Sequence, residues 1–210
     1  VAVRFGSLAR IGNRLPKSSN FWDGTAVYTP FSPTGSFDAL ATYTVGAGGV
    51  STVTFTGIPS NGYKHLQIRI LAATDRPTYA IDNMFVTLNS DTGSNYSFHS
   101  LEGNGSSASS GSAANNTDVR TGTLSSSAAS NVFTASIVDI LDYADTNKYK
   151  TTRSLSGFDV NGTVSGYGGF IQMYSSNWRN TSAVTSITFN RQSGSNFIQY
   201  SQFALYGVKG

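Results

Sequence analysis

Cysteine is absent from this 210-residue chain, which excludes disulfides, thiolate chemistry and every cysteine-based zinc site. Charge is scarce as well. Asp, Glu, Lys and Arg together make up 12 % of residues, about half the share of an ordinary soluble domain. Glu102 is the sole glutamate, and His65 and His99 are the only histidines. No apolar run approaches the ~18 residues of a membrane-spanning helix, so no membrane partner is expected. Residues 1–17 lack the unbroken apolar stretch of a secretory signal.

Aromatic groups are plentiful: thirteen Phe and eleven Tyr supply large apolar areas from which to build a core. The polar surface has to come from Ser, Thr, Asn and Gly, a composition common in β-rich secreted and virion proteins. The net charge of +3 is unevenly placed. Residues 1–36 carry Arg4, Arg10, Arg14 and Lys17 against Asp23, whereas residues 37–210 carry ten basic and ten acidic side chains. A neutral body behind a basic leader suggests that the leader docks on an acidic surface.

Residues 1–36 also hold three of the five prolines, Pro16, Pro30 and Pro33. Proline removes a backbone donor and fixes φ, which disfavours a long helix or a paired strand. Phe5, Leu8, Ile11, Leu15, Phe21, Trp22, Val27, Tyr28 and Phe31 are too many apolar groups for a solvated linker. An extended arm lying on another surface is expected, with Arg4, Arg10, Arg14, Phe21 and Trp22 as its docking residues.

From Phe37 onward the period is two. Leu66, Ile68 and Ile70 alternate with His65, Gln67 and Arg69. Met84, Val86 and Leu88, then Val53 and Phe55, Ile187 and Phe189, and Phe203 and Leu205 repeat the pattern. Short alternating runs rich in β-branched and aromatic residues predict half-buried antiparallel strands. Turn chemistry separates them at Gly46–Gly49, Pro59–Gly62, Asp91–Gly93, Asn161–Gly162 and Gly194. The expectation is an all-β antiparallel β-sandwich, jelly-roll-like, over residues 37–210, with about ten strands in two packed sheets and less than about a tenth helix. Ile137 to Leu141 also fits one side of a short helix, but the preceding Val132, Phe133 and Thr134 favour a strand. Gly103 to Asn116 contains only Gly, Ser, Ala and Asn; it can bury almost nothing, so a loop is expected there.

Catalytic patterns are weak. The two histidines have no ligand spacing, and no Gly-x-Ser-x-Gly elbow occurs. Asp139, Asp142 and Asp145 are the densest carboxylate cluster, but on a strand and its turn they are expected to point different ways, unlike a glycosidase pair. Asn89, Asp91 and Asn95 are oxygen donors close in sequence, but lack the carboxylates of an EF-hand and fit a β-turn better. No metal, no cofactor and no enzymatic activity are expected. Four basic groups on the arm give only modest phosphate affinity, which makes nucleic acid an unfavoured partner.

Several segments resemble a widespread virion protein family of tailed bacteriophages, including cyanophages. They are Tyr63–Arg69, Asn89–Tyr96, Asp139–Tyr143, Thr146–Thr151, Arg153–Gly157, Trp178–Thr188 and the closing Phe203–Gly207. The resemblance covers about residues 37–210. It implies a virion location and a non-enzymatic role in head decoration, the neck or a tail fibre, with other virion proteins as partners. It also implies a homo-oligomer, the trimer being favoured, and brings no catalytic residues. The competing reading is a receptor-binding adhesin whose exposed Tyr and Trp stack on host glycans. Within these segments, Tyr143 and Tyr149 are expected to form a cross-strand pair. Trp178 and Arg179 are expected to cap the core with a stacked guanidinium.

Overall fold

The computed structural model describes residues 36–192 and 195–210. Among them there are twelve strands and no helix. In chain order these are β1 (Phe37–Thr44), β2 (Val53–Thr56), β3 (His65–Thr74), β4 (Ile81–Leu88), β5 (Tyr96–Gly103) and β6 (Ala108–Asn116). There follow β7 (Val119–Ser126), β8 (Thr134–Leu141), β9 (Lys150–Val164), β10 (Tyr167–Trp178), β11 (Ser186–Arg191) and β12 (Gln202–Val208). They make one large, mostly antiparallel sheet. One arm of it runs β1-β12-β3-β8-β9-β10-β5-β6 and the other β2-β11-β4-β7. The arms join where β3 runs parallel to β7 for two residue pairs, Ala73 with Ser125 and Thr74 with Ser126.

The period-two residues fall where alternation places them. Leu66, Ile68 and Ile70 of β3, Met84, Val86 and Leu88 of β4, and Phe203 and Leu205 of β12 are buried in one cluster. Val53, Phe55, Ile187 and Phe189 belong to the same cluster, so both arms of the sheet contribute to a single core. Phe203 of β12 bridges them, its ring centroid 5.3 Å from Phe189 and 5.1 Å from Phe197. The segment open to a helical reading is strand β8, consistent with its β-branched neighbours.

Three local expectations are corrected. The low-complexity stretch is not a loop: Ala108–Asn116 pairs with β5 from Gly103 to Tyr96, and only the Asn104–Ser107 turn lies between them. Its side chains bury little, as composition implies, but backbone pairing needs no side-chain burial. Asn161–Gly162 does not reverse the chain; it lies within β9, and the reversal comes at Ser165 and Gly166, with φ of 50° and 81°. Two positive φ values in a two-residue connection are what a tight hairpin needs. Tyr143 and Tyr149 do not pair. Tyr143 is buried with its hydroxyl donating to the Pro59 carbonyl, while Tyr149 faces solvent.

Candidate interaction surface

Hydrophobic-in, polar-out is the usual arrangement of an antiparallel sheet with one wet face. On β8, β9 and β10 much of it is reversed. The buried positions include Thr134, Ser136, Thr152, Ser154, Ser156, Gln172 and Ser176, while the exposed positions between them include Ile137, Leu155, Ile171 and Met173. Strand register then aligns the outward residues into two rows. One runs Leu71, Ala135, Gly157, Ile171 from β3 to β10. The next runs Arg69, Ile137, Leu155, Met173, Leu101 from β3 to β5. Five neighbouring strands span about 20 Å at the usual inter-strand spacing.

Leu71, Leu101, Ile137, Leu155, Ile171 and Met173 are each between 42 and 63 % exposed. Scattered apolar residues on a surface need no explanation, but a contiguous apolar patch on the order of 500 Å² is at the upper end for a monomer and marks an interaction site. Ala135 and Gly157 form the floor of a shallow depression of about 650 Å³, with Leu71, Ile137, Leu155 and Ile171 around it. Polar groups flank the band in the following row: Gln67, Asp139, Arg153, Ser175 and His99. Asp139 accepts a hydrogen bond from the Gln67 amide at 2.9 Å, and Arg153 makes no ion pair among the described residues.

Beneath the same strands lies β7. Its Gly122 comes so close to β9 that a Cβ there would sit 2.2 Å from the Ser156 hydroxyl oxygen, so serine-sized side chains are what the gap admits. Gln172 accepts from the Thr123 amide at 2.7 Å and donates to Glu102 at 2.8 Å. Thr134 accepts from the Ser125 amide at 2.7 Å. The hydroxyls of Ser136, Ser154, Ser156 and Ser176 are buried with no hydrogen-bond partner among the described residues. A buried, unpaired hydroxyl costs stability. Ser154→Ala should therefore leave stability unchanged or raise it by about 1 kcal/mol in urea unfolding; a clear loss would mean that this hydroxyl is paired.

At one end of β10, the loop after β4 is organised by Asp91. Its carboxylate accepts from the Trp178 indole N–H at 2.7 Å, the Gly93 amide at 2.8 Å and the Asn95 side chain at 3.0 Å. This is the turn expected from Asp91–Gly93. The core cap differs from expectation: Trp178 is stacked on Tyr96, with centroids 6.3 Å apart and planes 16° apart, and not on a guanidinium. Arg179 instead donates to the Ser94 carbonyl and the Asn115 side chain. The indole hydrogen bond, offset in part by burial, holds Asp91 below its ordinary pKa of 3.8. A carboxylate with a lowered folded-state pKa contributes stability that is complete above the unfolded value and lost as pH falls through the folded one. Asp91→Asn should accordingly flatten the decline of stability below about pH 4, measured by chemical unfolding across pH 2–6. An unchanged decline would show that other groups set it.

Asp142 and Asp145 converge more than their spacing suggested. Lys148 bridges them, at 2.5 Å from Asp142 and 3.4 Å from Asp145, and Lys64 lies 3.1 Å from Asp142. The Lys148 and Lys64 ammonium groups hold Asp142 below the usual carboxylate range. Asp145 also accepts from the Asn147 amide, which caps the turn, and Asp139 stands apart on the outer face. His65 accepts from the Asp142 backbone N–H at 2.9 Å; His99 is exposed on β5. Among the described residues no group of three or more His, Asp or Glu is placed to hold a metal. Trp178 is 1 % exposed and so is not available to stack on a glycan. The docking residues Arg4, Arg10, Arg14, Phe21 and Trp22, and the arm that carries them, lie outside the described residues, as does Gly194.

The apolar band escaped the sequence reading because Ser-Leu-Ser reads as a strand without saying which face is inside. Ile137 offers no clearer signal, since Ser136 precedes it and the apolar Val138 follows it. No family model, no curated protein and no solved structure matches this chain.

Proposed function

We propose that this chain is a non-enzymatic structural subunit of a tailed-phage virion, a head decoration, neck or fibre component buried against neighbouring virion proteins. The observation that carries this reading is the reversed face of β8–β10. A sheet that turns leucine, isoleucine and methionine outward and serine inward is suited to a place where that outer face is covered. Low surface charge supports the same reading, since Ser, Thr and Asn cost less to desolvate than Lys and Glu. The family role, and the homo-oligomer with the trimer favoured, rest on the resemblance of segments such as Asp139–Tyr143 and Trp178–Thr188.

The reading includes two architectural elements. The two arms of the sheet act as the leaves of a β-sandwich of jelly-roll type, for which the shared core and the Phe189–Phe203 contact speak. Residues 1–36 act as a docking arm, for which their prolines, aromatic groups and basic charge speak. Mass spectrometry of purified virions of the phage that encodes the chain tests the function. The chain is expected in a fixed ratio to the major capsid or tail proteins; its absence from purified virions would contradict the reading.

A further inference from the structure

We infer that the apolar band is covered by a second copy of this chain, packed face to face about a two-fold axis that runs along the strands between β8 and β9. The inference rests on the reading of the outer face as a covered surface, and names what covers it.

Register makes the band self-complementary about that axis. Rotation exchanges β8 with β9 and β3 with β10 while leaving the position along the strands unchanged. Ile137 then faces Leu155 of the other copy, and Leu71 faces Ile171, because each pair shares a row. In the flanking row Asp139 faces Arg153, so opposite charges meet twice across one contact. Arg69 is placed over Met173, where its aliphatic stem packs and its guanidinium remains at the rim. Ala135 faces Gly157, so the two hollows adjoin and leave room for the surrounding side chains to interdigitate. An axis between β9 and β10 would also match apolar groups, Leu155 with Met173 and Ile137 with Leu101, but would set Arg153 against Ser175 and so lose the Asp139–Arg153 pairs.

Area and charge favour a second copy over another partner. Six half-exposed apolar side chains contiguous over five strands form a face of the extended, flat kind that a specific interface of about 800 Å² per partner uses. A strongly basic or acidic partner finds little field to match, since the band carries a single charge, Arg69 at its end, and its flanking row sets Asp139 beside Arg153. Arg153 is exposed and makes no ion pair within its own chain among the described residues, which leaves it free for the partner's carboxylate. A two-fold contact of this kind closes on itself. Alone it gives a dimer; combined with the three-fold contact that the resemblance implies, it gives a hexamer.

The test is sedimentation velocity on the full-length chain at micromolar concentration. Two or six chains per particle are expected. Leu155→Glu, and separately Ile171→Lys at the far side of the band, should each weaken association at least 100-fold without changing the far-ultraviolet circular dichroism of the strands. Asp139→Arg alone should weaken it about tenfold by placing like charges across the axis. Adding Arg153→Asp to that variant should restore association to within a few fold. A wild type of one or three chains overturns the inference, as does an unchanged mass in both band variants. Failure of the double charge reversal to restore association overturns the two-fold placement. A chain that is monomeric in solution yet present in virions loses this inference and keeps the structural role. A chain that dimerises through the band yet is absent from virions loses the structural role and keeps this inference.

Discussion

Replacing Lys150 with methionine should lower the free energy of unfolding by about 3 kcal/mol or more. Lys150 opens β9 and is fully buried. Its ammonium group donates to three backbone carbonyls, those of Asp145, Lys148 and Thr181, at 2.5 to 3.0 Å. Three bonds use all the donors a lysine has, and they tie the β8–β9 loop to the segment after β10. Methionine matches the stem but leaves three converging carbonyls without their shared donor, which is the costly half of a broken hydrogen bond. For a domain of this size the melting temperature should fall by roughly 10 °C. Lys150→Arg should also destabilise, since a planar guanidinium does not fit three converging carbonyls. A loss below about 1 kcal/mol in urea unfolding would mean that Lys150 behaves as a surface lysine and that the loop is held by other contacts.

Removal of residues 1–36 should leave a folded β domain that no longer enters particles. Among the described residues a buried cluster holds β3, β4, β11 and β12 together, which gives these strands a core from their own side chains. The leader supplies the whole excess of positive charge, with Phe21 and Trp22 among its apolar groups. Particle assembly in the presence of the truncated chain measures the effect: occupancy should drop to background while circular dichroism stays that of a β protein. Full occupancy by the truncated chain would show that the leader does not dock and would place all binding on the sheet.

The strands with a conventional face were legible in the sequence. Leu66-Gln67-Ile68-Arg69-Ile70 and Met84-Phe85-Val86-Thr87-Leu88 fix both the strand and its inner side, because only the apolar set can fill the core. β8 to β10 were legible as strands but not in orientation. Around Leu155 the neighbours are Ser154 and Ser156, and the usual rule would put the leucine inside. The inner side is instead set by β7, whose Gly122 leaves space only for small side chains against Ser156. β6 was misread because composition reports what side chains bury and is silent on backbone pairing. Burial of Lys150 depends on Thr181 as well as on the adjacent Asp145–Lys148 turn, and the stacking of Trp178 on Tyr96 on the loop that Asp91 organises far back in the chain, so local patterns do not encode them.

The central claim is that this chain is a virion subunit whose outward-facing leucine, isoleucine and methionine band is covered. Cryo-electron microscopy of the intact particle tests it most directly. The account predicts density for residues 37–210 in regular copies on the head, neck or fibre, with Leu155, Ile171 and Met173 buried in a contact. A particle without the chain, or one that carries it with these three side chains facing solvent, would contradict the account.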